Sequence, residues 1–483
     1  MLNTPDASEL LPIAVDLDGS LVRIDTLHEA LFALLREAPL SVLSAGTLLR
    51  QGKATFKRRI ALAHTADVEA MPFNEELLAW LWAERAKGRR IGLFTASDQA
   101  VADAVAAHLE GLFDEVRGSD GSTNLSGSRK ADAIAAVFPE GFVYVGDAPV
   151  DAGVFARADA AVLVGDVPRL RASLPEGRRI EAEFPGQRPG WREWRRALRL
   201  SHWSKNLLVF VAPLLGLAVE RAPEILLEAL LLFILMGMLA SATYLVNDLF
   251  DLSSDRRHPV KQNRPIASGA ISARLGAVAA AGLLAAAFAL SLLLLPMQAT
   301  IALLAYLATT LTYSLALKRM PIVDVITLAI LFTIRIFAGS VLMDEAVSLW
   351  LLTFSMLFFV GLAMVKRYAE LRRVVSEGGG GVSARGYTAA DLPLLLGAGL
   401  ASGFSAIVIF TIYLIQEQYP RDIYRMPALL WILVPIIMVW LLRVWHLALH
   451  GRMNEDPVAF ALHDRFSLAL GAVALLVLAL AWQ

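Results

Sequence analysis

Asp16 and Asp18 stand two apart in IAVDLDGS, at the end of a short apolar run. Two acids so placed can divide labour, one as nucleophile and one as general acid and base. A second apolar run ends at Thr95, Lys130 follows, and a third run closes in Gly146-Asp147, with Asp151 four residues on. Much later, residues 247–265 read NDLFDLSSDRRHPVKQNRP. Asn247, Asp248, Asp251 and Asp255 fall at helical spacing, so they share a face. Three carboxylates crowded on one face repel one another unless a cation sits among them. Hard oxygen ligands suit Mg²⁺, which commonly bridges a few carboxylates to substrate phosphates. Arg256, Arg257, Lys261 and Arg264 follow at once and supply charge for phosphate. Acids for a metal beside bases for phosphate describe a diphosphate site.

The elements that carry these residues are of two kinds. Residues 1–165 alternate β-rich runs (LPIAVDLD, RIGLFTAS, GFVYVGD, AAVLVGD) with helical patterns, which predicts an α/β domain with a Rossmann-type parallel sheet. The first set of side chains would then converge at the carboxyl ends of strands, where open α/β sheets bind ligands. Residues 166–204 form a basic linker, in which WREWRRALRLSHW is predicted as an interfacial helix with Trp191, Trp194 and Trp203 at headgroup level. Residues 205–483 are predicted as an all-α polytopic membrane domain. It contains about nine apolar stretches near the ~20 residues that span a bilayer: 206–219, 226–246, 272–294, 297–315, 322–342, 348–365, 392–415, 428–448 and 465–482.

Composition agrees with a membrane protein. Of 483 residues 57% are hydrophobic and 18% charged, with a mean hydropathy of +0.56. The net charge of −1 says nothing of partners, and no feature points to nucleic acid. The absence of cysteine excludes disulfides and thiolate metal sites. The first residues lack a basic region followed by a long apolar core, so no signal peptide is expected and the N-terminus is assigned to the cytosol. Lys and Arg of the membrane half concentrate in the loops after residues 250, 316, 365 and 449, which predicts those loops on the cytoplasmic side of a bacterial inner membrane and the C-terminus outside. GGGG at 378–381 marks a flexible loop.

The ordered set DxDGS, strand-end Thr, Lys and GDxxxD resembles the haloacid dehalogenase (HAD) superfamily of phosphatases over residues 10 to about 165. The resemblance implies that Asp16 attacks phosphorus and that Asp18 protonates the leaving group and then activates water. It implies that Thr95 and Lys130 hold the phosphoryl group, and that Asp16, Asp147 and the Asp18 carbonyl bind Mg²⁺, with Asp151 supporting that site. The helical insert between 21 and 90 would be a small cap limiting access.

Residues 199–483 resemble the UbiA superfamily of intramembrane prenyltransferases, through NDxxDxxxDxxHPxKxxRPIASG. That implies about nine helices around a lateral, lipid-open cavity. Members that prenylate aromatic acceptors carry a second acidic motif; here Tyr313 and Lys318 stand where the acids would be, with Asp324 beyond. SHWSKNLLVFVAPL, YSLALKR, KRYAEL, RGYT and MNEDPVAFALHDR, the last holding Glu455, Asp456 and Arg465, resemble instead the decaprenyl-phosphate phosphoribosyltransferase branch that serves arabinan biosynthesis.

That branch implies Mg²⁺ on Asp248, Asp251 and Asp255, oriented by Asn247 and holding the diphosphate of phosphoribosyl diphosphate. Asp248 and Asp251 take the catalytic part, and a polyprenyl phosphate is the acceptor. Lys205, Lys318, Arg335 and Lys366 are candidates for lipid phosphate or ribose 5-phosphate, Tyr313 for a hydrogen bond to either, and Arg257, Lys261 and Arg264 for diphosphate. Snorkelling is the competing explanation for each base except Arg335, which lies midway in an apolar stretch. Trp350, Trp431 and Trp440 read as packing residues, and His446 and His450 as helix-end histidines. The combined expectation is a bifunctional enzyme with Mg²⁺ in each site, making polyprenyl phosphoryl ribose for cell-envelope glycan. Two alternatives stay open: an aromatic prenyltransferase using a prenyl diphosphate, and a transferase carrying a non-catalytic HAD scaffold. A homo-oligomer is open as well.

Overall fold

Alternating Val, Ile and Ala residues build the first sheet. The computed structural model describes residues 10–38, 52–64, 67–186, 188–216, 222–343, 346–376, 385–420, 424–453 and 456–482; the glycine run 378–381 and Glu455 lie outside them. The chain falls into two compact units, residues 1–198 with 244–280, and 199–243 with 281–483.

In the first unit six strands pair in parallel: β1 (Ile13–Val15), β2 (Ile91–Asp98), β3 (Glu115–Ser119), β4 (Val143–Gly146), β5 (Ala160–Gly165) and β6 (Arg179–Pro185). Their spatial order is β3-β2-β1-β4-β5-β6. Both faces are covered. Ile13 and Val15 pack with Leu77, Leu81 and Val105 on one side, while Ala14 packs with Phe94, Ile134 and Phe155 on the other, as period-2 alternation in a doubly covered sheet requires. Val15 pairs with both Leu93 and Val145, so the carboxyl ends of β1, β2 and β4 lie side by side. β3 and β6 were not expected. Strand β6 pairs with β5 from Ala160↔Arg179 to Gly165↔Pro185, so the sheet runs past the boundary expected at residue 165 and into the linker.

The insert after β1 is helical, Thr26–Glu37 and Lys53–Ala63, followed by Glu75–Ala86. Asp25 caps the first helix through a hydrogen bond from the His28 amide at 3.0 Å. The expected interfacial helix is short, Trp191–Ala197, and ends before Arg199, whose φ of 49° is left-handed.

Seven helices among the described residues are long and apolar enough to span a membrane: Pro223–Phe250, Ala273–Leu294, Val323–Ser340, Leu349–Ser376, Ala389–Gln418, Pro427–Leu449 and Arg465–Trp482. Seven of the nine expected stretches are these; the other two are 297–315 and 206–219, the latter running past the described residues. Met297–Leu315 is a helix of 19 residues, but Gln298, Thr309, Thr310, Thr312, Tyr313 and Ser314 lower its hydropathy. The stretch at 206–219 divides into the 3₁₀ segment Leu200–Phe210 and the single turn and a half Val211–Gly216. In the second unit the helices approach closely at small residues. A Cβ on Gly339 would lie 1.9 Å from the Val209 carbonyl oxygen, and one on Gly399 would lie 2.3 Å from the Trp445 ring.

Candidate functional sites

Burial organises the first group of acids. Asp16 closes β1 and is buried; one carboxylate oxygen accepts the Leu17 amide at 2.8 Å and the other meets Lys130 Nζ at 2.9 Å. Lys130 also donates to the Tyr144 hydroxyl at 3.0 Å and to Asp151 at 3.4 Å. Burial alone would lower the Lys130 pKa, but Asp16 and Asp151 raise it above its ordinary value. Asp16, Asp147 and Asp151 each place a carboxylate oxygen within 4.8 Å of the others. Asp147 is pushed up to about 8, by burial first and then by Asp16 and Asp151.

Asp18 is held by groups that the spacing did not single out. The Thr26 amide donates to one oxygen at 2.9 Å, and the Ser97 hydroxyl donates to the other. Thr26 and Ser97 hydroxyls lie 2.8 Å apart. Burial, and next the charge of Asp25, raise the Asp18 pKa to about 6 against these hydrogen bonds. Ser97 is two residues beyond Thr95 on the same strand, which is the signal that could have found it; the Thr95 hydroxyl accepts the Ser97 amide at 3.0 Å. Gly19, at φ +75°, leaves room that a side chain would take, since its Cβ would lie 2.1 Å from an Asp147 oxygen.

A divalent cation fits this donor set. Three carboxylates share one small volume, two of them, Asp147 and Asp151, disfavoured as anions by burial and by Asp16, and a glycine keeps the space beside Asp147 open. Asp16, Asp147 and Asp151 with the Asp18 carbonyl would hold it; Asp151 belongs to the cluster itself.

The second group sits where the helix Ala222–Phe250 ends. Helical hydrogen bonding continues through Asp251, whose amide donates to the Asn247 carbonyl at 2.9 Å, and Asp255, whose amide donates to Asp251 at 2.8 Å. A short helix, Leu252–Arg257, follows. Asp248 and Asp255 are buried, and Arg264 reaches both, at 3.2 and 2.5 Å. Here the bases pair with acids. Arg36 donates to Asp251 at 2.5 Å and to the Phe250 carbonyl at 2.9 Å, Arg256 grips Glu29 through two hydrogen bonds of 2.7 and 2.5 Å, and exposed Arg257 donates to Asp67 at 2.8 Å. Lys261 lies exposed in a 3₁₀ turn, Lys261–Asn263. The oxygen donors Asn247, Asp248, Asp251 and Asp255 have the chemistry Mg²⁺ prefers.

In the second unit Lys205 and Lys366 both donate to one oxygen of Asp456, at 3.0 and 2.9 Å. Sequence reasoning noticed Asp456 only as part of a resemblance; its partners are far away along the chain. Lys366 and Asp456 also line a cavity with Arg372, Arg373 and His450. Arg335 is buried, as its position predicts, and donates to Asn206 at 2.9 Å and to the Tyr306 hydroxyl at 3.1 Å. The Tyr313 hydroxyl accepts from Arg367 at 3.3 Å and Arg385 at 3.2 Å, and the Lys318 carbonyl accepts from Arg385 at 3.3 Å. Asp324 is fully buried between Arg367 at 2.5 Å and the Tyr387 hydroxyl at 2.6 Å.

Residues 207–470 match the UbiA prenyltransferase family. The chain belongs to that family. It is 38% identical over 464 residues to the uncharacterized protein y4nM of Sinorhizobium fredii, covering 96% of this chain and 89% of that one. It is 30% identical over 295 residues to the decaprenyl-phosphate phosphoribosyltransferase of Mycolicibacterium smegmatis, covering 59% of this chain and 89% of the relative. A UbiA homolog from Archaeoglobus fulgidus, solved bound to DMAPP and Mg²⁺, aligns with a TM-score of 0.46 at 16% identity, over 60% of this chain and 97% of that one. The UbiA family and the long apolar helices make this an integral membrane enzyme.

Proposed function

We propose that the protein transfers 5-phosphoribose from phosphoribosyl diphosphate to a polyprenyl phosphate, and that its sheet domain, read as a HAD-like phosphatase, removes the 5-phosphate from the product. The transferase half is supported by likeness to a decaprenyl-phosphate phosphoribosyltransferase along most of that relative's length. The observation that carries the phosphatase half is the Asp16–Lys130–Asp151–Asp147 cluster with Asp18 beside it.

Mg²⁺ bound by Asp248, Asp251 and Asp255, with Asn247 orienting the site, would supply positive charge for the departing diphosphate. Arg264, now on Asp248 and Asp255, and Arg257 and Lys261 bring further charge for that diphosphate. Lys205 and Lys366, drawn together by Asp456, offer two ammoniums to a phosphate of the lipid or of the ribose. Arg335, held by Asn206 and Tyr306, positions that region, and Tyr313 and Lys318 replace the acids that a second metal on a prenyl diphosphate would need. The Lys- and Arg-rich loops support a cytosolic mouth.

In the sheet domain Asp16 forms a bond to phosphorus as the bond from phosphorus to the leaving oxygen breaks, and Asp18 gives that oxygen its proton. Water then attacks phosphorus, Asp18 takes the water's proton, and inorganic phosphate leaves Asp16. With its pKa near 6, Asp18 can hold and release a proton near neutral pH. Lys130 and Thr95 steady the phosphoryl group.

Purified protein given Mg²⁺, phosphoribosyl diphosphate and decaprenyl phosphate should yield decaprenyl phosphoryl ribose by mass. Asp16→Asn should yield the same lipid retaining one more phosphate, and Asp248→Asn should yield neither. Turnover of a prenyl diphosphate with hydroxybenzoate instead would overturn the transferase reading, and full dephosphorylation by Asp16→Asn would overturn the phosphatase reading.

A further inference from the structure

A polar cavity of ≈ 310 Å³ opens at the carboxyl ends of β5 and β6 and reaches Gly19. That volume lies within the range of about 300–1,000 Å³ usual for small-molecule sites. Two of its glycines bring it to the acid cluster. A Cβ on Gly19 would lie 2.1 Å from an Asp147 oxygen, and one on Gly165, at the end of β5, would lie 3.9 Å from the Asp147 Cβ. No side chain at either position stands between the cavity and Asp147. Another wall is the turn 268–270, where a Cβ on Gly269 would lie 3.1 Å from Arg23.

The polar side chains around this space are free to meet a ligand. Asn74 is 8% exposed and stands at the N-cap of the helix Glu75–Ala86, yet its side chain makes no capping bond. Asparagine at that position ordinarily accepts an amide of the first turn. Among the described residues the Asn74 side chain makes no other hydrogen bond, and it lines the cavity. An amide so buried is costly without a partner, which points to a ligand. Arg23 and Glu76 are exposed on the same cavity, and among the described residues neither forms an ion pair. Val164, Phe184, Pro185 and Ala270 supply the apolar surface.

A carboxylate accepts two hydrogen bonds side by side, an amide both donates and accepts, and a guanidinium donates to an anion. A pentose meets that set. Its adjacent hydroxyls donate to Glu76 and exchange hydrogen bonds with Asn74, and an anionic substituent on the ring pairs with Arg23. An isoprenoid chain would strip water from all three groups and return no hydrogen bond.

We propose that this cavity is the sugar subsite of the phosphatase, and that Asn74 and Glu76 select the substrate by the vicinal diol of its pentose, with any lipid left outside. This rests on the phosphatase reading above and adds the residues that recognise the alcohol. With phosphorus on Asp16, the alcohol must fill space adjoining the acid cluster, and this cavity adjoins it at Asp147. Soluble and lipid-linked ribose esters are then both substrates, and a deoxyribose ester is a poor one.

The test measures phosphate release by the full-length protein in detergent with Mg²⁺, on ribose 5-phosphate and farnesyl phosphoryl 5-phosphoribose, each beside its 2-deoxy counterpart. Loss of the 2-hydroxyl should lower kcat/KM roughly ten-fold or more, by a similar factor in both pairs. Glu76→Ala and Asn74→Ala should each lower kcat/KM for the ribose esters by about ten-fold and for the deoxyribose esters far less. Because Asn74 forms no capping bond, its replacement should leave the melting temperature in place, whereas a purely structural role would lower it and slow both sugars alike. Equal rates for ribose and deoxyribose esters in the native protein, or a diol preference unchanged in both variants, overturns the subsite while leaving the phosphatase intact. Phosphate release from no ester above the level of Asp16→Asn removes the phosphatase reading and this proposal with it.

Discussion

At the scale of single residues three acids of the sheet domain, Asp18, Asp147 and Asp151, have raised pKa values, and the first two shifts are large enough to set a pH range. Asp18 and Asp147 titrate near 6 and 8 in the folded chain, against an ordinary value of 3.8. Both shifts are upward, so the folded state binds protons more tightly than the unfolded state. Their stabilising contribution is complete below about pH 4 and is lost as pH rises through 6 and then 8. With chelator present, the thermal midpoint of the sheet domain should therefore fall between pH 5 and 8.5, and Mg²⁺ should restore it most at the alkaline end. A change of about 2 kcal/mol would move the midpoint by roughly 4–8 °C in a domain of this size. A midpoint that stays level or rises with pH in chelator would contradict the assignment. The second unit offers a contrast in Asp324, which is fully buried and depends on Arg367 and Tyr387. Arg367→Met should cost about 3–5 kcal/mol, because it strands a buried carboxylate. Adding Asp324→Asn should recover part of that loss, as read by the detergent-solubilised melting temperature.

Elements show where sequence patterns suffice and where they do not. Gly339 brings the helix Val323–Ser340 against the backbone at Val209. Gly339→Ala should force the two apart and destabilise the protein by about 1–3 kcal/mol, whereas Gly282→Ala, at a position with open space, should not. Melting temperatures of the two variants give the comparison directly. Such contacts were invisible beforehand, because a glycine in an apolar run carries no sign of what approaches it. Two strand-end residues were legible: Asp16 and Asp147 follow runs whose β-branched and apolar content marks β1 and β4, and parallel pairing brings those ends together, whereas Thr95, expected to end its run, lies inside β2 (Ile91–Asp98). Strand β6 was not, since RIEAEFP alternates polar residues along an edge and follows a Pro- and Gly-containing stretch. The helix Met297–Leu315 forms over the expected residues, although its threonines and tyrosines lower both its helix propensity and its hydropathy. Thr26 and Ser97 were missed because their importance lies in a distance across the fold to Asp18, which spacing along the chain does not encode. The pairing of Arg36 with Asp251 escaped for the same reason, 215 residues separating the partners.

For the whole molecule, the proposed function puts a transferase and a phosphatase on one chain and so ties two reactions to one concentration. If the transferase releases a phosphorylated lipid, a phosphatase on the same chain meets it at an effective concentration set by their linkage, independent of how dilute the protein is. Two proteins each lacking one activity have no such advantage. On the proposed function Asp16→Asn should keep the transferase and Asp248→Asn the phosphatase, so an equimolar mixture would contain both activities on separate chains. In dilute detergent solution that mixture should build up the phosphorylated lipid before removing it, with a lag that lengthens as protein is diluted. The native protein at equal total activity should show little intermediate and no dependence of the lag on dilution. Identical time courses for mixture and native protein would mean that the intermediate diffuses freely, and the fusion would then serve co-expression rather than transfer between sites. The first outcome is the expected one, because the helix Leu252–Arg257 that follows Asp251 at the transferase motif lines one cavity with Thr26 and Ser97, the hydrogen-bond partners of Asp18.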